Sequence, residues 1–354
     1  MMMNLLPELP PEIVGPSAWY GPELAARQTW LEPLTATEIA EIERATKVLA
    51  ATAIEIPDIR ASDFPLPTLA PRLQRLLAEV LDGRGFALLR GLPVAGWTPR
   101  EAAIAFFGLG AHLGGARPQN AQGHVLSHVK DLGRSSDDPN ARIYQTRERQ
   151  TYHTDSCDVV ALLCLHPAKA GGLSSLVSSV TIFNEMRRRR PDLLHVLLAP
   201  IETDRRGEVP AGARPYFSIP VFNWHAGLLS AIYQRQYIES ARRFAEVPPL
   251  TAPQVEALDL FDALANDPAL HLCMELRPGD VQLVHNHTLL HDRTAFEDWP
   301  EAERKRHLLR LWLAPLAARP LSPVFAQRYG TVTPGARGGV LVQGRKLCAP
   351  LEVD

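Results

Sequence analysis

Apolar residues recur at three- and four-residue steps in four stretches of the chain, the spacing of one helix face. TATEIAEIERATKVLAA (35–51) and PTLAPRLQRLLAEVLDG (67–83) show it most plainly, with Gly83 as a stop. A third helix is announced by the capping box Thr98-Pro99-Arg100-Glu101 ahead of AAIAFFGLGAHLG. TAPQVEALDLFDALAND (251–267) is the fourth, with Thr251 as N-cap. Elsewhere the pattern changes to short apolar runs bounded by Gly and Pro. These predict strands at GFALLRG (85–91), DVVALLCL (158–165), SSLVSS (174–179), YFSIPVFN (216–223), HLCMELRPGDVQLVH (271–285) and HLLRLWLAP (307–315). Within the fifth run, Arg277-Pro278-Gly279-Asp280 predicts a type II turn, with Pro at its second position and Gly at its third. Strands spread through the second half with long connections suit an antiparallel double-sheet barrel better than βαβ repeats. The expected class is α+β, mainly β, with flanking helices drawn mostly from the N-terminal third.

Composition narrows this without redirecting it. The chain has 354 residues, enough to bury a large core, with 46% hydrophobic and 21% charged residues, ordinary for a globular protein. Its 37 basic and 39 acidic residues leave a net charge of −2, so no global field recruits nucleic acid or an anionic membrane. The run Arg187–Arg190 follows a helix-like stretch and precedes Pro191, which reads as a solvated helix end rather than a phosphate patch. Thirty-one prolines are scattered as turns, not repeated as a tract. The first sixteen residues read as a loose arm without the features of a signal peptide, and residues 17–354 as a single domain. No run approaches the 18 apolar residues of a membrane span. Four cysteines without CxxC spacing read as reduced thiols of a cytoplasmic protein.

The chemistry starts at His153-Thr154-Asp155. Two imidazoles and one carboxylate can occupy one face of an octahedral ion and leave three positions open, the pattern of non-haem Fe(II) oxygenases. His153 and Asp155, at i and i+2, share one side of an extended segment. A distant His would close the site after folding, and GDVQLVHNHTLLH (279–291) offers three. His285, His287 and His291 have the same strand parity, so the period alone does not choose among them. An H-x-D triplet by itself means little in a chain with 12 His. Cys157 shares the side of Asp155 if the strand continues, although a small buried hydrophobe is the commoner role for a lone Cys. Asn120 and Gln145 lie in segments leading towards the site strand and are candidates to line a pocket. Tyr152 and Trp312 read as core.

GFALLRGLPV, QTYHTDSCDVVALLCLHPAKAGGLSS, RPGDVQLVHNHTLLHDRTAF and RKRHLLRLWL occur in this order across residues 67–316. With them the chain resembles the TauD/TfdA-like (taurine dioxygenase) family of Fe(II)/2-oxoglutarate-dependent oxygenases. The resemblance implies a jelly-roll (double-stranded β-helix) core and iron held by His153, Asp155 and His291. His291 is preferred because Asp292-Arg293-Thr294 follows it as an H-x-R-like stretch. The family has an arginine soon after the last ligand that grips the distal carboxylate of 2-oxoglutarate. Arg306 matches it best, while Arg310 matches a position that faces the substrate's anionic group in taurine dioxygenase itself. Such a residue suits the task because a guanidinium forks onto a carboxylate through two parallel hydrogen bonds. Ser174 sits where the family places a hydroxyl residue touching the same carboxylate. The chain departs from the family at His285, where an acidic residue is frequent.

The activity implied couples oxidative decarboxylation of 2-oxoglutarate by O2, giving succinate and CO2, to hydroxylation or a related C–H oxidation of a small organic substrate. Asp155 argues against halogenation, since a carboxylate fills the position a halide would need. Arg310 points to an anionic group on the substrate, and a homo-oligomer fits the general habit of soluble enzymes. Two other readings use the same residues: a zinc hydrolase with a His/Asp/His site, and a barrel-fold binding protein without turnover.

Overall fold

The computed structural model describes residues 8–134, 143–341 and 344–352. Eleven of its strands build two sheets: β1 (Leu31–Pro33), β2 (Phe86–Arg90), β3 (Gly115–Ala116), β4 (Leu126–Lys130), β5 (Gln150–His153), β6 (Val159–His166), β7 (Ser174–Ser178), β8 (Leu272–Met274), β9 (Val281–His285), β10 (Leu289–Arg293) and β11 (His307–Ala314). The larger sheet runs β1-β2-β9-β6-β11, with β4 and β3 sharing the far edge of β11. Only β1 and β2 pair in parallel there. The smaller sheet is β8-β7-β10-β5, antiparallel throughout. Helices α1 (Ala36–Ala50), α2 (Leu69–Asp82), α3 (Pro99–Ala111), α4 (Ser179–Arg189), α5 (Pro191–Leu197) and α6 (Ala252–Ala265) complete an α+β architecture.

Strand alternation decides which residues meet which layer. Odd-numbered Ala87, Leu89, Ala161, Leu163, Leu283, Leu309 and Leu311 form one apolar cluster with Ile42, Leu73 and Phe106 of α1–α3. The N-terminal helices therefore cover the outer face of the larger sheet. Even-numbered Phe86, Leu88, Cys164, Val284 and Leu308 pack instead with Leu176, Leu272 and Leu289 of the smaller sheet. The smaller sheet's outer face, through Tyr152, Val177 and Leu290, lies under Phe183, Leu194 and Phe261 of α4–α6. Each fully buried Leu or Phe in these layers contributes about 1.5–3 kcal/mol. The space between the sheets is left to the even-numbered face, which also carries Gln282, Arg306 and Arg310.

Capping boxes close α1 at Thr35/Glu38, α3 at Thr98/Glu101 and α6 at Thr251/Gln254. The turn at Arg277–Asp280 forms as predicted: Asp280 N donates to Arg277 O at 2.9 Å and Gly279 has φ 82°. That turn splits the predicted 271–285 strand into β8 and β9, which belong to different sheets. The 216–223 run divides as well, into Tyr216–Pro220 and Phe222–His225, which join separate two-stranded ribbons. The Arg187–Arg190 run ends α4; Arg188 and Arg189 pair with Glu185, and Arg190 with Asp192 and Glu256. Residues 1–7 of the expected arm lie outside the described residues. Farther along it, Ile13 exchanges two hydrogen bonds with the Asn184 side chain, and Arg187 Nε donates to Pro10 O. Among the described residues no helix is long and apolar enough to cross a membrane.

Candidate metal centre and its two cavities

His153 ends β5 and His291 lies in β10, and the two are direct register partners across antiparallel strands. Cross-strand neighbours stand close enough for side chains on one face to meet, and here the ring centroids are 4.1 Å apart. Asp155 follows two residues after the strand, so its place is set by a contact rather than by the pleat: Asp155 N donates to Asn286 Oδ1 at 3.0 Å. One ligand atom from each of His153, Asp155 and His291 lies within 4.8 Å of the others. Among the described residues this is the one such group of His, Cys, Asp or Glu.

Hydrogen bonds prepare the donors. His153 Nδ1 donates to Thr151 O at 2.8 Å, which puts the ring's lone pair on Nε2; Gln150 Nε2 donates to it at 2.9 Å and would have to yield to a metal. Nε2 of His153 stands 3.9 Å from Asp155 Oδ1, and Nε2 of His291 3.8 Å from Oδ2. Trp312 Nε1 (2.9 Å) and Arg310 Nη1 (3.2 Å) both donate to Oδ2, leaving Oδ1 without a hydrogen bond among the described residues. Arg310 is itself held by Gln119 Oε1 at 2.7 Å and flanked by the rings of Tyr144 and Trp312.

Burial pushes the His153 imidazole down, against the pull of Asp155. Burial, then the neighbouring His153, lowers His291 to about 3. Burial alone would raise Asp155, but Arg310, His291, His153 and Trp312 together hold it at about 2. Two neutral imidazoles and one carboxylate therefore face each other at neutral pH, the protonation state a divalent cation requires.

Two cavities adjoin this group. The outer one, about 290 Å³, is lined by Gln119, Asn120, Tyr144, Asp155, Gln234 and Arg328 among others. The inner one, about 40 Å³, lies between the sheets and is lined by Ser174, Leu276, His291, Arg293, Arg306 and Leu308. His153, Gln150, Tyr144 and Arg310 border both. Arg306 is only 4% exposed, and its Nη1 has no partner among the described residues. Burial lowers it to about 10. Ser174 Oγ donates to Gln282 Oε1 at 3.0 Å.

Residues 48–312 match the family model "Taurine catabolism dioxygenase TauD, TfdA family". The chain belongs to this family. It is 33% identical over 307 residues to the FR-33289 synthase of Streptomyces rubellomurinus (strain ATCC 31215), covering 85% of this chain and 90% of that one. It is 30% identical over 304 residues to the taurine hydroxylase-like protein SAT17 of Stachybotrys chartarum (strain CBS 109288 / IBT 7711), covering 83% and 77%. Among solved structures, an asparagine oxygenase in complex with Fe(II), 2S,3S-3-hydroxyasparagine and succinate shares the fold, with a TM-score of 0.63 at 19% identity over 80% of this chain and 93% of that chain.

Several features of this TauD/TfdA-family site escape a reading of the sequence. Trp312, expected in the core, reaches Asp155; it stands two residues from Arg310, so the pleat puts both on the inner face. The common parity of His285, His287 and His291 does not survive folding, because Asn286–Thr288 turn the chain from β9 in one sheet to β10 in the other. His285 Nδ1 pairs with Thr288 Oγ1 at 2.9 Å, and His287 Nε2 with Asp158 Oδ1 at 2.9 Å. Cys157 does not continue the strand. It is buried beside Val160, Trp312 and Val340, and Asn286 Nδ2 donates to its Sγ. Asn120 lines the outer cavity, whereas Gln145 does not. Tyr152 is core, its hydroxyl bonded to Ser175 Oγ. Nothing local marks Gln119, whose role depends on a partner 191 residues away.

Proposed function

We propose that His153, Asp155 and His291 hold Fe(II), and that Arg306, with Ser174, anchors the distal carboxylate of 2-oxoglutarate in the inner cavity. The chain is an Fe(II)/2-oxoglutarate-dependent oxygenase of the TauD/TfdA family, with O2 as co-substrate. It converts substrate C–H, 2-oxoglutarate and O2 into C–OH, succinate and CO2. One observation carries the assignment of residues: the triad lies where the outer cavity meets an inner one whose buried guanidinium lacks an anion. The donor set fits a divalent first-row metal, and the unpartnered Arg306 Nη1 fits a carboxylate.

Bound iron supplies the redox chemistry that couples O2 to the oxidation of both substrates. The protein's own groups position and shield. Thr151 O sets the His153 tautomer, and Trp312 with Arg310 occupies one oxygen of Asp155 so that the other is available as a single ligand. Leu276 and Leu308 wall the inner cavity with apolar surface that excludes water from the co-substrate. The outer cavity presents a small substrate to the open side of the centre, and Arg310, bordering both spaces, is placed to meet an anionic group on it. The facing sheets read as a jelly roll, with residues 17–354 as one domain behind a short arm. Four free thiols fit a cytoplasmic location.

The test is anaerobic addition of Fe(II) and 2-oxoglutarate, watched for the weak visible charge-transfer band of the chelate, then O2 and a succinate assay over a panel of amino acids, sulfonates and phosphate esters. A band followed by substrate-stimulated succinate is the expected result. Absence of a band with iron, together with hydrolysis supported by zinc, overturns the assignment. A band with no substrate-stimulated succinate reduces the chain to a binding protein.

A further inference from the structure

We infer that Arg293 is a second arginine for the distal carboxylate of the co-substrate, and that it sets the preference of the inner cavity for a dicarboxylic 2-oxoacid. The inference rests on the reading of that cavity given above, in which Arg306 and Ser174 alone were assigned the carboxylate.

Arg293 stands two residues after His291 on β10, so strand alternation puts both on the inner face. Its register partner across the smaller sheet is Ser174. Arg306 approaches from the other sheet, one residue before β11. Both guanidiniums lie against one ring, the Cζ atoms of Arg293 and Arg306 being 4.9 and 5.2 Å from the centroid of Phe296, and the charge of Arg306 acts on Arg293. Both side chains line the same inner cavity, and Arg293 is 6% exposed.

Like charges so placed repel unless an anion lies between them, and none of the described carboxylates hydrogen-bonds either guanidinium. Arg293 donates Nη2 to Glu148 O, while its Nε and Nη1, like Nη1 of Arg306, are buried without a partner. The adjacent Asp292 also borders the cavity but is engaged by Arg149, whose Nε donates to its Oδ2 at 2.8 Å. Asp298 Oδ1 takes the backbone N–H of Arg306 at 2.6 Å rather than the guanidinium. Asp292, Asp131 and Glu148 act on Arg293, and Asp298 on Arg306, only at a distance. Ser174 Oγ donates to Gln282 Oε1 here and would reach a carboxylate only by turning from it, which leaves the guanidiniums as the standing donors. Three unpartnered guanidinium nitrogens around a narrow cavity thus suit one carboxylate, whose two oxygens accept about four hydrogen bonds. Unpaired buried donors of a charged group are costly, so their persistence points to a ligand.

The test uses the full-length protein loaded anaerobically with Fe(II) and titrated through the visible chelate band. The ligands are 2-oxoglutarate and 2-oxopentanoate, which has the same chain without the distal carboxylate. For Arg293→Met the expected result is a Kd for 2-oxoglutarate about 10–100-fold higher, an unchanged Kd for 2-oxopentanoate, and an Fe(II) affinity equal to wild type. Arg293→Lys, which keeps the charge and guards against a folding defect in the Met variant, should recover part of the loss. Unchanged 2-oxoglutarate affinity in both variants overturns the inference, as does equal weakening of both ligands, the mark of a merely structural residue. If wild type gives no band with 2-oxoglutarate, the cavity assignment falls and this inference falls with it. A wild-type band with indifferent Arg293 variants sinks only the role of Arg293.

Discussion

Trp312 Nε1 and Arg310 Nη1 converge on one oxygen of Asp155, and that pairing does more for the centre than either contact alone. A carboxylate that accepts two hydrogen bonds through one oxygen is oriented and stays ionised, while its other oxygen faces His153. Removing the indole N–H should therefore loosen the metal without emptying the core. Trp312→Phe is expected to weaken Fe(II) binding by about 10–100-fold, the usual effect of losing a hydrogen bond to a metal ligand. Metal titration by calorimetry checks it, and an unchanged affinity would remove Trp312 from the site. At this scale the sequence was only partly legible. His153, Asp155 and His291 could be singled out from the spacing and order of four segments, and the fold brings their donor atoms within 4.8 Å of one another. Trp312, Gln119 and Asn286 could not, since each acts through a partner that only the fold supplies.

Strand alternation was legible wherever a strand buries one face against helices, as in Leu309, Leu311 and Leu313 of β11. It was lost in β4 and β5, whose LSHVK and QTYH carry polar side chains because they border the cavities instead of filling a core. The turn at Gly279 was foreseen because a positive φ demands glycine and proline precedes it; a Cβ there would stand 2.0 Å from Leu92 O. Gly172 follows the same rule next to the chemistry. Its φ is +66°, and a Cβ would meet Arg306 Nε at 3.0 Å. Gly172→Ala should cost about 1–3 kcal/mol of stability from backbone strain and raise the KM for 2-oxoglutarate by displacing Arg306. Urea unfolding and steady-state kinetics read the two effects separately, and an unaltered KM would show that Arg306 yields without losing its ligand.

Over the whole molecule, the C-terminal segment is tied to the chain just after Asp155 by a buried charge network. Arg337, fully buried, donates to both oxygens of Asp158, to Val332 O and to Arg319 O, and Asp158 also accepts from His287. Burial alone would raise Asp158, but His287 and Arg337 hold it below its ordinary value. Arg337→Met leaves that carboxylate partly uncompensated and should cost about 3–5 kcal/mol in urea unfolding. A cost near zero would mean that the network adds specificity rather than stability. Acid acts on the same scale. His307 is pushed down to about 3 by burial and by His128, and His285 and His287 are also lowered by burial. The unfolded chain takes up protons near pH 6.5 that the fold refuses, so this stabilisation is complete above that value and is lost as pH falls from about 6.5 towards 3. The urea midpoint of the metal-free protein should drop between about pH 7.5 and 5. His307→Gln should flatten the drop, and an identical slope would refute the contribution of His307.

The direct pairing of His153 with His291 has a consequence for how the protein matures. Sliding β5 past β10 by one position would turn one imidazole away from its mate and leave the cation with too few donors. Iron held by this pair, as proposed, would certify that the smaller sheet has closed in its native alignment, and chains trapped in a shifted alignment would be recognisable by their failure to chelate.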